Sequence, residues 1–188
     1  MKTIIVEGCD RTGKNTVIDF ITSKTKNYVV RHFALPQGDT IEEKIAFQKK
    51  DFRNHFILAN TTRALRDADD LYYIMNRAHL GEWVYGWKYR NYQADWIWNL
   101  EAEFNLQSHD VYLIGLFGTP EFLIQQEDGH SISAKLKDRE EEVDAFVDAF
   151  HKSIIPNKLI YCVNETHPEL RYKPKGMLFN EITKLLQL

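Results

Sequence analysis

Short apolar runs alternate with longer amphipathic segments along this chain. The runs are rich in β-branched and aromatic residues, are bounded by turn-forming residues, and predict strands at 3–7, 28–33, 71–75, 111–117 and 159–163. Apolar runs of this length without polar alternation are typical of strands that are buried on both faces of a parallel sheet.

Helical periodicity fills the intervals between these runs. It predicts helices at 16–25, at 41–67 (as two helices), at 95–106, at 138–153 and at 175–188. Strands that alternate with helices favour an α/β fold, here a five-stranded parallel sheet flanked by helices and joined by right-handed crossovers. A length of 188 residues fits a single domain over 1–188.

Composition and charge narrow the function classes. Hydrophobic residues make up 44% of the chain and the net charge is -3, which excludes a strongly basic nucleic-acid binder. No apolar run approaches the ~20 residues of a membrane helix. The two cysteines, Cys9 and Cys162, form neither a disulfide framework nor a zinc cluster. We therefore expect a cytoplasmic protein without a membrane segment or a nucleic-acid partner.

The strongest chemical signal lies between the first predicted strand and the first predicted helix. The segment G-C-D-R-T-G-K-N-T has the G-x-x-x-x-G-K spacing of a phosphate-binding loop. Its glycines let backbone N–H groups ring a phosphate, and the following helix presents its positive end to the same anion. The residues expected at the donor nucleotide are Gly8, Cys9, Asp10, Arg11, Thr12, Gly13, Lys14, Asn15 and Thr16.

One position in this loop departs from the usual pattern. The Ser or Thr that normally follows the lysine and ligates Mg²⁺ is Asn15. An amide oxygen is also a magnesium ligand in proteins. We expect Asn15 to take the metal position, with Lys14 reaching the β- and γ-phosphates.

The order E-G-x-D-R-x-G-K around this loop resembles the thymidylate kinase family. The resemblance implies the P-loop nucleoside monophosphate kinase fold, ATP as phosphoryl donor and Mg²⁺ as cofactor. It further implies that Asp10 contacts the sugar hydroxyl of the acceptor and that Arg11 stabilises the phosphoryl group in flight, a charge that a guanidinium matches well.

A second block after the third predicted strand is similar to the D-R-Y…S-x-x-A-Y-Q-G segment of the same family. By this resemblance Arg77 holds the acceptor phosphate and Tyr85 lines the acceptor nucleoside. Asn76 stands where the family has aspartate, so a carboxylate near the metal is missing. The segment H-L-G-E-x-V-Y-G resembles the corresponding segment of phage-encoded members of the family. This resemblance would place the protein in the host cytoplasm.

Two weaker blocks extend the resemblance. Phe33 and Asn60 match positions at the acceptor base, whereas Phe56 fits the core better. Residues 127–139 resemble the family's lid, with Lys135 and the catalytic Arg139 closing over ATP. All four tryptophans lie within 83–98. Because such aromatic-rich helices often form dimer faces, we expect a homodimer.

Together these features predict a nucleoside monophosphate kinase that moves the γ-phosphoryl of ATP to a deoxynucleoside 5′-monophosphate, dTMP or a related one. Two other interpretations stay open. The acceptor is a nucleoside or carries a modified base, or the protein is a nucleotide-binding module whose turnover is lost. Asn15 and Asn76 motivate the latter interpretation.

Overall fold

The computed structural model describes residues 1–33, 35–64, 70–127, 129, 135–164 and 175–188. Residues 65–67 of the second predicted helical region, and residues 128 and 130–134 of the predicted lid, lie outside the described residues. None of the helices in the described part of the chain combines the length and the apolar character that a bilayer crossing requires.

The described residues contain the strands β1 (Lys2–Gly8), β2 (Asn27–His32), β3 (Leu71–Asn76), β4 (Val111–Phe117) and β5 (Asn157–Cys162). These five strands form one parallel sheet in the order β2-β3-β1-β4-β5. This arrangement confirms the predicted α/β class and the parallel pairing. The central strands are buried on both faces, whereas most residues of the edge strand β2 are exposed.

In the described residues the helices follow the predicted order with three differences. The region that begins at residue 41 is one helix to Arg63, started by a Thr40–Glu43 capping box and interrupted by no Gly or Pro, so the prediction of two helices was wrong. Two helices lie outside the ranges that periodicity predicted: one spans His79–Tyr89, and a short one begins at Pro120. The helices are α1 (Lys14–Lys24), α2 (Ile41–Arg63), α3 (His79–Tyr89), α4 (Trp96–Glu103), α5 (Pro120–Gln125), α6 (Leu136–Lys152) and α7 (Lys175–Leu186).

Two hydrophobic cores lie on opposite faces of the sheet. Successive strand residues point to opposite faces, so Ile4 packs with Ile18 of α1 and Ile182 of α7, while Ile5 packs with Phe56 of α2 on the other face. The carboxyl ends of β1 and β3 are neighbours, because Val6 pairs with Asn76. The segments that follow these two strands therefore meet at one edge of the sheet, where ligands bind in open α/β folds.

Candidate active site

The phosphate loop is closed by glycines that no other residue can replace without strain. Gly8 has φ 129°, and a Cβ there would lie 1.8 Å from the carbonyl oxygen of Leu116 on the neighbouring strand. Gly13 has φ 82° and is the N-cap of α1 without a capping side chain. The first amides of α1 are thereby left to face an anion.

Lys14 is folded back over this loop. Its side-chain amine is buried and donates to the carbonyl oxygens of Gly8 at 3.0 Å and Cys9 at 2.5 Å. Burial lowers the pKa of Lys14, and the nearby Cys9 and Glu7 oppose that shift. The amine therefore lies where the loop would hold a phosphate, with weak neutral partners that an anion would replace.

Arg77 joins the end of β3 to the phosphate loop. Its guanidinium donates to the carboxylate of Asp10 and lies 5.3 Å from the ring centre of Tyr85. The Arg77 backbone has φ 64°, and its N–H donates to the Val6 carbonyl at 2.8 Å. This left-handed turn follows the end of β3 and places the Arg77 guanidinium against Asp10 of the phosphate loop.

Asn15 and Asn76 are also brought together. The side-chain amide of Asn76 donates to the Oδ1 atom of Asn15 at 2.7 Å and lies 3.0 Å from Nδ1 of His32. Two magnesium-associated positions that depart from the thymidylate kinase pattern are thus in contact at the mouth of the phosphate loop.

The phosphate loop faces an open cleft of about 610 Å³, which we call the phosphate cleft. Its polar lining includes the candidate residues for phosphates and metal. The lining consists of Asp10, Arg11, Gly13, Lys14, Asn15, Asn76, Arg77 and Gln126.

A second cleft, of about 340 Å³, adjoins the first and is called the acceptor cleft here. Asp10 and Arg77 line both clefts. Phe33 lies in its wall and packs against Phe52 with ring centres 4.9 Å apart. Tyr85 lines the same cleft, is buried, and donates to Glu142 at 3.1 Å. Burial raises the pKa of Tyr85 well above its ordinary value, so the phenol is neutral.

The acceptor cleft also contains polar residues that the sequence did not single out: Gln48, Glu82 and Arg90. Glu82 is 4% exposed and accepts hydrogen bonds from Arg90 and from the hydroxyl of Tyr92. Burial raises the pKa of Glu82, and the interactions with Arg90 and Tyr92 oppose that rise. No motif marks these residues, because they come from α2, from α3 and from the turn after α3.

A third, smaller pocket of about 190 Å³ lies on the other side of the phosphate loop and is called the donor pocket. Arg11 and Gly13 line both this pocket and the phosphate cleft. Its remaining walls are largely apolar, including Phe122, Tyr161 and Phe179. A planar, apolar surface of this kind suits a nucleotide base.

Glu7 is a buried carboxylate beneath these clefts. Its Oε1 atom accepts from the backbone N–H groups of Ala78 at 2.7 Å and Gly81 at 3.2 Å. Glu7, which lies on β1, therefore caps the N-terminus of α3, where a negative charge is favourable. This contact fixes the helix that carries Tyr85 and Glu82 against the end of β1.

The structure does not bring every predicted residue to the clefts. The amide of Asn60 donates to the Phe104 carbonyl at 3.0 Å and accepts from Arg63, and it lines a separate cavity of about 280 Å³. Asn60 thus holds α2 to the end of α4, in a cavity separate from the acceptor cleft, and its expected contact with the acceptor base stays a prediction. Phe56 packs in the core as expected, with its ring centre 5.5 Å from that of His79.

Arg139 lies on α6 and is almost completely buried. Its guanidinium donates to Glu142 at 2.8 Å and to Glu127 at 3.0 Å. It is not among the described residues that line the three clefts. In this structure the carboxylates of Glu127 and Glu142 are ion-pair partners of its guanidinium.

No family model matches the sequence, and neither does any curated protein. Solved structures do match. The YorR protein of Bacillus subtilis, in complex with phosphorylated GDP, has a TM-score of 0.68 and 15% identity over 100% of this chain and 96% of its own. The thymidylate kinase of Candida albicans has a TM-score of 0.56 and 14% identity over 99% and 91%. At these identities the likeness establishes the fold, and this chain has the α/β fold of the nucleoside monophosphate kinases.

Proposed function

We propose that the protein transfers the γ-phosphoryl group of ATP to a deoxynucleoside 5′-monophosphate, dTMP or a related one, giving the diphosphate. The observation that carries this proposal is the Asp10–Arg77 pair, which lines both the phosphate cleft and the acceptor cleft. A donor phosphate on the loop and an acceptor phosphate on Arg77 would meet at this junction. The matched folds support the same reaction class.

The protein's contribution is positioning and charge. An oxygen of the acceptor phosphate attacks the γ-phosphorus, and the bond to the bridging oxygen of ADP breaks, without a covalent bond to the protein. Lys14 exchanges its two loop carbonyls for phosphate oxygens, and Arg11 places a second cation beside the transferring group. Asp10 receives a sugar hydroxyl, and Phe33 and Tyr85 flank the nucleoside.

Mg²⁺ fits this site through one protein ligand. Asn15 Oδ1 accepts one hydrogen bond from Asn76 and retains a second lone pair. Mg²⁺ is commonly held by one or two protein oxygens together with phosphates and waters. When bound there, the metal would neutralise charge on the donor phosphates.

The catalytic role of Arg139 remains a prediction. To reach the phosphates, its guanidinium would have to leave Glu127 and Glu142. Closure of the lid over ATP would have to supply replacement partners for the charge. A homodimer and a cytoplasmic location, in the host if the protein is phage-encoded, belong to the same proposal.

A coupled assay of ADP release tests the reaction directly. The purified protein is given ATP, Mg²⁺ and each of the four common deoxynucleoside monophosphates, with the deoxynucleosides as a parallel panel. Turnover with at least one monophosphate is expected. Turnover with the deoxynucleosides but with none of the monophosphates would instead support the interpretation in which the acceptor is a nucleoside.

A nucleotide-binding module without turnover is favoured by one observation. Asn15 and Asn76 bond to each other as neutral amides, where a hydroxyl and a carboxylate stand in the resembled family. Calorimetry distinguishes the two functions, because a module binds ATP and a monophosphate while the coupled assay detects no ADP.

A further inference from the structure

The acceptor cleft contains a second charged pair, Glu82 and Arg90, in addition to Asp10 and Arg77. Glu82 and Arg90 both line the cleft, and Arg90 donates to one carboxylate oxygen of Glu82. The side chains of Glu82 and Arg90 are 3% and 16% exposed. A buried charge of this kind is costly unless its hydrogen-bonding capacity is used.

The bonding capacity of Glu82 exceeds its partners within the protein. An ionised carboxylate has about four lone-pair sites and only accepts hydrogen bonds. Arg90 occupies one site on Oε2 and Tyr92 one on Oε1. Two acceptor sites therefore remain on Glu82, a residue that lines the cleft. Arg90 has five N–H donors and cannot accept, so the cleft offers a pure acceptor beside a pure donor.

Nucleobases differ in how well they match such a pair. Guanine presents two parallel donors, N1–H and the 2-amino group, beside the acceptor O6. Adenine, cytosine and thymine each present one donor group on this edge, and so leave part of the buried carboxylate unmatched. An unmatched buried acceptor weakens binding of the wrong base.

We propose, on the basis of the proposed function, that Glu82 and Arg90 select guanine as the base of the acceptor monophosphate. Glu82 accepts from N1–H and the 2-amino group, and Arg90 donates to O6. Phe33 and Tyr85 enclose the ring faces. The acceptor is thus dGMP in preference to dTMP, although the sequence resemblance alone points to thymine.

The experiment compares dGMP with deoxyinosine monophosphate (dIMP), which lacks only the 2-amino group, and with dTMP. The wild-type protein is expected to show a kcat/KM for dGMP about tenfold or more above those for dIMP and dTMP, the discrimination of a good bidentate contact. Dissociation constants of the three monophosphates, measured by calorimetry, give a readout that needs no turnover.

Two variants assign the effect to the carboxylate. Glu82→Gln keeps the shape but replaces one acceptor oxygen with a donor, so the preference for dGMP over dIMP should fall close to one while the KM for ATP is unchanged. Tyr92→Phe is the matched control. It removes a partner of Glu82 that is not among the described cleft-lining residues, and should keep the preference. If Glu82→Gln fails to fold, the comparison of dGMP with dIMP in the wild-type protein still tests the selection of guanine.

The outcomes separate this inference from the proposed function. Turnover that is best with dTMP, or equal for dGMP and dIMP, overturns the inference and leaves the kinase standing. Tight binding of dGMP that depends on Glu82 without ADP release supports base selection and rejects the kinase. Neither binding nor turnover of any monophosphate rejects both.

Discussion

The side-chain amide of Asn76, at the end of β3, donates a 2.7 Å hydrogen bond to Asn15, at the start of α1. The bond links two magnesium-associated positions where the chain departs from the thymidylate kinase pattern. Because the two side chains are in contact, substitutions at these positions are expected to be coupled and not additive.

Asn76→Asp alone should lower the free energy of unfolding by about 1–2 kcal/mol, because it places a carboxylate oxygen against Asn15 Oδ1. Adding Asn15→Ser supplies a hydroxyl donor and should recover most of the loss. Urea unfolding of the wild type, both single variants and the double variant measures the coupling. Additive effects would show that the pair does not interact in solution.

The double variant Asn15→Ser and Asn76→Asp also tests the contribution of these positions to magnesium binding. A hydroxyl and a carboxylate offer Mg²⁺ one more negative charge than two amides do. We expect the magnesium concentration for half-maximal turnover to fall in the double variant. An unchanged magnesium dependence would mean that neither position contacts the ion. A wild type without turnover that the double variant does not revive would favour the non-catalytic module.

Lys14→Ala should reduce phosphoryl transfer at least ~100-fold, about 2.7 kcal/mol of transition-state stabilisation. The reason is the loss of the buried cation that lies over the phosphate loop. Lys24→Ala, at the exposed far end of the same helix, is the control and should leave turnover near wild type. Retention of more than a tenth of the activity by Lys14→Ala would reject the loop as the donor site.

Arg77→Ala should raise the KM for the acceptor more than the KM for ATP, because it removes a guanidinium that can bind a dianionic phosphate through two hydrogen bonds. Steady-state kinetics with each substrate varied in turn measure both constants. Arg53→Ala, which breaks only an exposed ion pair with Glu103, controls for the loss of a positive charge. A rise confined to the ATP constant would place Arg77 on the donor side.

Glu101 should make stability fall in acid. Burial opposes its ionisation, but hydrogen bonds from His79, Ser153 and the Ile154 amide outweigh burial and lower its pKa below the ordinary 4.5. A carboxylate with a lowered folded pKa contributes stability above its ordinary pKa, and that contribution disappears as pH falls through the folded value.

Urea unfolding at pH 7 and at pH values below 4.5 tests this linkage. Glu101→Gln should cost about 1–3 kcal/mol at neutral pH and flatten the acid dependence. Glu103→Gln, two residues on and exposed, should do neither. Equal acid sensitivity in Glu101→Gln and wild type would locate the titrating group elsewhere.

The tryptophan-rich segment predicts a homodimer. Trp87 is 36% exposed, and with the half-buried Trp83 it lines an open groove of about 410 Å³ beside Asp144 and Asp148. Sedimentation at micromolar concentration should show twice the 22.1 kDa chain mass. Trp87→Glu should shift the protein toward monomer, since a charge there is unfavourable at an apolar interface. A monomeric wild type would contradict this prediction alone.

The sequence by itself determined the alternating strands and helices and the phosphate loop. These features follow from local physics: the periodicity of apolar residues, and backbone angles that only glycine adopts without strain. The predicted helices did not include α3 or α5, and α5 has six residues and is too short to show a period. The prediction also divided α2, although nothing in 41–63 breaks a helix.

Only the tertiary structure decided which side chains share a cleft. Glu82 and Gln48 come from different helices, and they meet because both helices pack on one face of a sheet whose order places β3 beside β1. Asn60 and Arg139 match the family pattern, and their side chains bond to Phe104 and to two glutamates, respectively. Such contacts join residues far apart in the chain, so no local pattern encodes them.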